Sequence, residues 1–490
     1  MLVFELLLLI TATLYITLSR AIHTKLEKKY VLGLLVFFLI AHFVFDGYRW
    51  QMIPSYIIWL FAIITAIRQP RKTSSKVISV AKGAGTALLF ATAYVLPSLF
   101  PVFELPKTTG PFAVGTSDIL LKTNRNEEIT SNDTDNRRFM IKAWYPSNET
   151  EGEHDLYIDR AGRNGFAKKY GLPPAMLQYL DNVDTRVYKN AIVADETFPV
   201  LIFSHGYHSK ANGYYALLSE VASQGYVIFA INHTYESTGT TFPDGTEVYF
   251  DNEYARKIEA NTWETINPVV EAFQEGLNYE ERHPIVQKAL ITYFAKDIIE
   301  RWAQDIIDVV DELEEWSQAG IFKGRLDITN VGVFGHSRGG GAAGESLLID
   351  SRIKAGANLD GIQWGQIVNT RFQQPFLFLS SDWPDDHENL NQHAYRNKSA
   401  SVFYEGTLLQ SGHSNFMDIP FMIPLQALNL AGDIEPDLAF EISNKLLVSF
   451  FDKYLKNKRS NISRLVSDYE QLEMSISVGD SLNLSSLKLK

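Results

Sequence analysis

The sequence predicts an α/β chain, a mostly parallel sheet covered by helices on both faces, preceded by a bundle of about four transmembrane helices. Three observations carry this. Long apolar runs crowd the first hundred residues and then stop. Beyond them, short apolar runs bounded by turn residues alternate with helical patterns, as in a buried parallel sheet. One of those runs leads into a glycine-flanked serine and then a string of small residues, the strand–turn–helix context of a nucleophile.

The apolar runs occupy residues 2–18, 30–45, 53–67 and 84–103. Each is near the ~17–25 residues of a spanning helix, with flanking residues added to the second and third. Pro97 and Pro101 mark the fourth as kinked or ending early. Charge shifts at the same boundary. Before Glu104 there are 10 basic and 3 acidic residues, a net of +7; from Glu104 on there are 35 and 54, a net of −19. Basic residues gather in the first loop (Arg20, Lys25, Lys28, Lys29) and the third (Arg68, Arg71, Lys72, Lys76, Lys82), whereas the second has only Arg49 against Asp46. The basic loops face the cytoplasm by the positive-inside rule. The expected protein is thus a multi-pass integral membrane protein, anchored in the lipid bilayer, with everything after Phe103 on the extracytoplasmic side. No basic residue precedes the first run, so it does not read as a cleaved signal peptide. The acidity of the larger part excludes nucleic acid as a partner. The absence of cysteine excludes disulfides, cysteine-held metal and a cysteine nucleophile.

The expected domains are 1–103, the transmembrane region; 104–455, the catalytic domain; and 456–490, a weakly patterned and loosely held tail. Within the second, residues 139–145, 200–203, 226–231, 331–334 and 376–380 read as strands. Ile298, Trp302, Ile306, Val310 and Leu313 recur at three- and four-residue spacing and predict a core-facing helix. The polar stretch around 251–295, with helical patches, reads as an insertion or lid over a site.

The sharpest motif is Gly335-His336-Ser337-Arg338-Gly339, followed by Gly340, Gly341, Ala342 and Ala343. A serine on a sharp turn between strand and helix is exposed to substrate. The helix N-terminus offers free N–H groups to a developing oxyanion. A serine needs a base, and in this context the base follows the acid in the chain. His413, in Gln410-Ser411-Gly412-His413-Ser414-Asn415-Phe416 after an apolar run, is preferred to His387 and His393, which lie in a polar acidic loop. Two residues compete as the acid. Asp360 ends the strand-like run 355–359 among apolar neighbours, and Asp382 follows the strand 376–380 in an acidic loop. Ser204-His205-Gly206-Tyr207 follows another strand. The Tyr207 N–H is the expected oxyanion donor beside that of Arg338, and His205 reads as structural. Asp382, Asp385, Asp386, His387 and Glu388 lack regular ligand spacing and read as a solvated loop, so neither a metal nor a cofactor is expected.

Phe203-Ser204-His205-Gly206, Gly335-His336-Ser337-Arg338-Gly339-Gly340, Leu359-Asp360-Gly361 and Gly412-His413-Ser414-Asn415-Phe416, in this order and with similar gaps, resemble the plasma-type platelet-activating factor acetylhydrolases. Gly432-Asp433-Ile434 and the helical stretch 438–454, with Ser443-Asn444-Lys445 inside it, resemble the same family. The resemblance covers residues 112–454 and not the four apolar runs. It implies an α/β-hydrolase fold and a Ca2+-independent serine esterase acting on phospholipids with a short or oxidised sn-2 acyl chain. It also implies Asp360 as the triad acid, with Tyr207 and Arg338 as the oxyanion donors. Two positions depart from the pattern: Arg338 stands where the family has an apolar residue, and Trp364 lies four residues beyond the aspartate rather than close behind it. The glycine run after Ser337 is also similar to cutinase-like polyester hydrolases, where the acid follows a later strand, the position of Asp382. A general carboxylesterase or lipase is the alternative within the same chemistry. A membrane sensor with a degenerate hydrolase domain is the alternative outside it.

Overall fold

The computed structural model describes residues 1–490 apart from 24, 25, 68–75, 133, 385–387, 460, 480–486 and 490. It divides into two compact units. One comprises Met1–Glu104, Ala175–Val183 and Met422–Leu425; the other comprises Leu105–Pro174, Asp184–Phe421 and Gln426–Lys490.

Among the described residues the first unit holds four α-helices, α1 (Val3–His23), α2 (Lys28–Ala41), α3 (Ile53–Ile67) and α4 (Lys76–Leu99). α2 runs on into a wider turn at His42–Asp46. α4 carries Pro97 in its last turn and stops two residues before Pro101, because the residue ahead of a proline is pushed out of helical geometry. Leu9, Ala12, Tyr15, Val31, Leu35, Ile58, Ala62, Ala66 and Ala93 form the common core. The alanines let the backbones approach closely. The opposite faces are apolar too: Leu14, Leu34, Phe37, Ile57, Leu60, Phe61 and Leu88 are all exposed. The one acid in α1, Glu5, is buried and paired with buried Arg49, whose Nη1 donates to both carboxylate oxygens at 2.7 and 2.9 Å.

Two stretches, Lys28–Asp46 and Trp50–Ile67, are long and apolar enough to cross a membrane, while Val3–Ser19 and Gly83–Leu99 are apolar but shorter. Two of the four expected spans therefore meet the length requirement. Arg68, Arg71 and Lys72 of the third loop lie outside the described residues.

Among the described residues, the second unit is built on a sheet of eleven strands. In chain order the strands are β1 (Ala113–Asn126), β2 (Asn136–Ser147), β3 (Tyr188–Lys189), β4 (Phe198–Ser204), β5 (Val227–Asn232), β6 (Gly239–Thr241), β7 (Glu247–Tyr249), β8 (Leu326–His336), β9 (Ile353–Leu359), β10 (Phe376–Ser381), β11 (Val402–Leu408), β12 (Leu472–Val478) and β13 (Leu487–Leu489). The sheet order is β13-β12-β11-β10-β9-β8-β4-β5-β2-β1-β3, and β6 and β7 form a separate hairpin. From β5 through β4, β8, β9 and β10 to β11 every neighbouring pair is parallel; β2 and β12 flank this block antiparallel. Such a block needs helices on both faces. The helix Ala295–Gln318 supplies one cover, with Ile298, Trp302, Ile306, Val310 and Leu313 all buried. The helices Arg338–Ile349 and Pro436–Leu455 also bury apolar stripes. The stretch read as an insertion forms three helices, Asn252–Ile258, Thr262–Gln274 and Tyr279–Thr292.

Residues 461–479 are held in place, where their weak patterning implied a loose tail. Ile462–Asp468 is a helix, and β12 pairs along the whole of β11, from Val402 opposite Val478 to Leu408 opposite Leu472. The pattern is faint because β12 lies near the sheet edge and buries only Leu472 and Met474.

Candidate active site

Ser337 sits between β8 and the helix Arg338–Ile349 with φ 57° and ψ −127°, a conformation that a side chain resists. The surroundings hold it there. Its N–H donates to the Leu359 carbonyl at 2.9 Å, and its own carbonyl accepts from Gly340 and Gly341 at 3.0 and 3.2 Å. A methyl group on Gly339 would collide with the Ser204 carbonyl, and one on Gly361 with the Ser337 carbonyl. The motif's glycines are therefore required by the close approach of β4, β8 and β9.

His413 opens a single 3-10 turn, His413–Phe416, just after β11. The side-chain Oδ1 of Asn415 fixes this turn by accepting from the N–H groups of Gly412 and Gly432, at 2.8 and 2.9 Å. The His413 Nδ1 lies 2.6 Å from Asp360 Oδ2, at the end of β9. A carboxylate accepts, so Nδ1 carries the proton and Nε2 is left as a base. Asp360 is buried and also accepts from the Ser381 N–H at 2.7 Å, the Ser381 hydroxyl at 2.8 Å and Trp383 Nε1 at 3.1 Å. The other candidate acid, Asp382, is exposed and accepts instead from the Gln410 N–H at 2.7 Å.

The loop after β4 lies against the serine: a Cβ on Gly206 would stand 3.3 Å from that of Ser337. The Gly206 N–H donates to the Tyr214 hydroxyl at 2.9 Å, and that hydroxyl reaches His336 Nδ1 at 2.8 Å. His336 Nε2 in turn donates to the His413 carbonyl at 3.1 Å. One hydrogen-bonded line thus joins the loop of Tyr207, the strand end before Ser337 and the turn of His413. Burial pushes the His336 imidazole well below its ordinary value, which keeps it neutral for this relay. Arg338 is the first residue of its helix, so its N–H has no intrahelical acceptor.

Tyr214, His336, Ser381 and Trp383 escape sequence reasoning, because each acts through a partner distant in the chain. So does a second Ser-His-Asp line. Ser204 Oγ lies 2.8 Å from His233 Nε2, and His233 Nδ1 lies 2.8 Å from Asp305 Oδ2. All three are fully buried and Arg137 also pairs with Asp305. No substrate reaches that serine, so geometry alone does not make a catalytic triad. His205, read as structural, is buried beside this line and bonded to the Gly206 carbonyl. His393 is buried against His283 and Tyr279. Asp385, Asp386 and His387 lie outside the described residues.

Among the described residues, His336, Asp360 and His413 bring potential ligand atoms within 4.8 Å of one another. Both His336 nitrogens and both Asp360 oxygens are already engaged in the hydrogen bonds above. A cavity of about 460 Å³ beside Asp360 is lined by Ile362, Ser381, Trp383 and several acids; its lining includes neither Ser337 nor His413.

The profile of the family described as platelet-activating factor acetylhydrolase, isoform II, matches residues 98–474. The platelet-activating factor acetylhydrolase of Canis lupus familiaris is 25% identical over 400 residues, 78% of this chain and 84% of its own length. That of Gallus gallus is 26% identical over 388 residues, 73% and 85% of the two chains. A probable 1-alkyl-2-acetylglycerophosphocholine esterase of Arthroderma benhamiae is 21% identical over 426 residues, 78% and 96%. Among solved structures, a ferulic acid esterase from Streptomyces cinnamoneus superposes with a TM-score of 0.57 at 21% identity, covering 74% of this chain and 96% of the other. At that identity the likeness speaks for the fold, which is that of the α/β hydrolases.

Proposed function

Since the chain belongs to the platelet-activating factor acetylhydrolase, isoform II, family and is a carboxylic ester hydrolase, we propose that it is a membrane-anchored serine esterase that cleaves phospholipids with a short or oxidised sn-2 acyl chain. The observation that carries the reading is the strained Ser337 at a helix N-terminus, directly after His336, whose ring packs on that of His413, a histidine whose Nδ1 lies against the buried Asp360 carboxylate.

In the proposed mechanism Ser337 Oγ attacks the ester carbonyl while His413 Nε2 takes its proton. Asp360 keeps the imidazole in the required tautomer and stabilises the imidazolium. The N–H groups of Tyr207 and Arg338 receive the tetrahedral oxyanion, each worth about 3 kcal/mol of barrier. The intermediate collapses as His413 returns the proton to the departing alcohol oxygen, leaving an acyl-enzyme. Water, deprotonated by His413, attacks the acyl carbon, and His413 passes that proton to Ser337 Oγ as the acyl–oxygen bond breaks and the acid leaves.

The bilayer is the second partner of this reading. The exposed apolar faces of α1 to α4 suit a lipid surround, and pairing of Glu5 with Arg49 removes the isolated charge that a membrane would exclude. We place all four helices across the membrane, with the catalytic unit on the extracytoplasmic side, as the basic first and third loops direct. Hydrolysis of 1-alkyl-2-acetyl and 1-alkyl-2-palmitoyl glycerophosphocholine by the detergent-solubilised chain tests the substrate. The reading expects the acetyl ester to be cleaved much faster. Equal rates favour a general lipase.

A further inference from the structure

The side chain of Arg338, one residue past the proposed nucleophile, has no anionic partner. Its guanidinium lies over the Tyr207 ring at 3.9 Å and over the Phe294 ring at 4.9 Å. Nη1 is buried and makes no hydrogen bond. Among the described residues no carboxylate forms an ion pair with it. Glu236, close enough to act on it through space, is already held by Arg301 at both of its oxygens and by Trp302 Nε1. Glu259 is exposed. Aromatic faces supply some compensation for a sheltered cation, but they do not satisfy an N–H. Among the described residues the two fully buried arginines of this unit are paired, Arg137 with Glu127 and Asp305, Arg301 with Glu236 and Glu128, whereas half-buried Arg338 is not. A free guanidinium edge beside the reacting serine is what a site holds in readiness for an anion, because burial makes an incoming charge-assisted bond strong.

We propose that the Arg338 guanidinium is an anion subsite of the catalytic pocket, taking a carboxylate or phosphate group that the ester substrate carries near its scissile carbonyl. The proposal rests on Ser337 being the nucleophile. The anion can come from the acyl half, as the far carboxylate of a short dicarboxylic chain, or from the alcohol half, as a phosphate. Both present paired oxygens to the planar fork of an arginine.

Two pairs of short esters, given to the full chain in detergent, separate these sources. The acyl pair is p-nitrophenyl hydrogen glutarate and its neutral methyl ester. The alcohol pair is the butyryl ester of glycerol 3-phosphate and that of glycerol. In one pair the anionic ester is expected to exceed its neutral partner in kcat/KM by about tenfold or more, and Arg338→Met brings that ratio close to one while Arg338→Lys keeps part of it. On the parent protein alone, free glutarate or glycerol 3-phosphate raises the KM of the neutral ester without lowering kcat. Cleavage of all four esters with no preference for charge overturns the proposal while leaving the esterase reading intact. So does a preference that survives in Arg338→Met. A parent that cleaves none of them and resists a fluorophosphonate probe overturns the assignment of Ser337, and the subsite with it.

Discussion

The Tyr214 hydroxyl lies 2.8 Å from Nδ1 of His336 and at the same time accepts the Gly206 N–H, so one phenol ties the loop of Tyr207 to the strand that presents Ser337. Tyr214→Phe leaves a buried imidazole nitrogen and a buried amide without partners. The expected loss is about 1–3 kcal/mol of stability. Because the proposed oxyanion loop loosens, kcat falls about 10- to 100-fold with a smaller change in KM. Denaturant unfolding and steady-state ester hydrolysis measure the two effects. A stability loss with unchanged kcat would make the contact purely structural.

Asp360 and Asp382 are separated by their variants. Asp360→Asn allows the wrong histidine tautomer and lowers kcat by about 10⁴-fold. Asp382→Asn takes the charge from an exposed bond to the Gln410 N–H and leaves kcat near the parent value. The reverse pattern would restore Asp382 as the acid.

The buried Asp305 sets an acid limit on stability. Burial raises its carboxyl, but Arg137 and the His233 hydrogen bond outweigh burial and hold it far below the usual range. The unfolded chain therefore binds this proton first. The stabilisation is complete above the unfolded value near 3.8 and is lost as pH falls below it. Asp305→Asn, which strips Arg137 of a partner, costs about 3–5 kcal/mol at pH 7 and weakens the acid dependence. Thermal unfolding of parent and variant between pH 3 and 7 measures both.

Membrane placement is tested by fusing a topology reporter after Phe103. The account expects a signal only from a reporter active outside the cytoplasm, and expects the chain to resist extraction by alkaline carbonate. A cytoplasmic signal would reverse the orientation.

The fold was legible where burial is two-sided. Strands β4, β5, β8, β9 and β10 are nearly continuous apolar runs, and the stripe from Ile298 to Leu313 has only one helical face. β12 was missed because a strand next to the sheet edge that buries only Leu472 and Met474 shows half a pattern. At the site, Ser337 and His413 stood out because their turns are written locally, in glycines and small residues. The supports around them were not legible. Tyr214 and His336 are 122 residues apart, Ser204 and His233 are 29 apart, and nothing near either member announces the other. Arg338 was visible, but as the residue of a backbone donor; that its side chain lacks an anionic partner emerges only from packing against Tyr207 and Phe294.

The most direct test of the central claim is labelling of the detergent-solubilised chain with a fluorophosphonate probe, comparing the parent, Ser337→Ala and Ser204→Ala. The account predicts labelling of the parent and of folded Ser204→Ala, and none of Ser337→Ala. Labelling that persists in Ser337→Ala, or a folded parent that does not label, would contradict it.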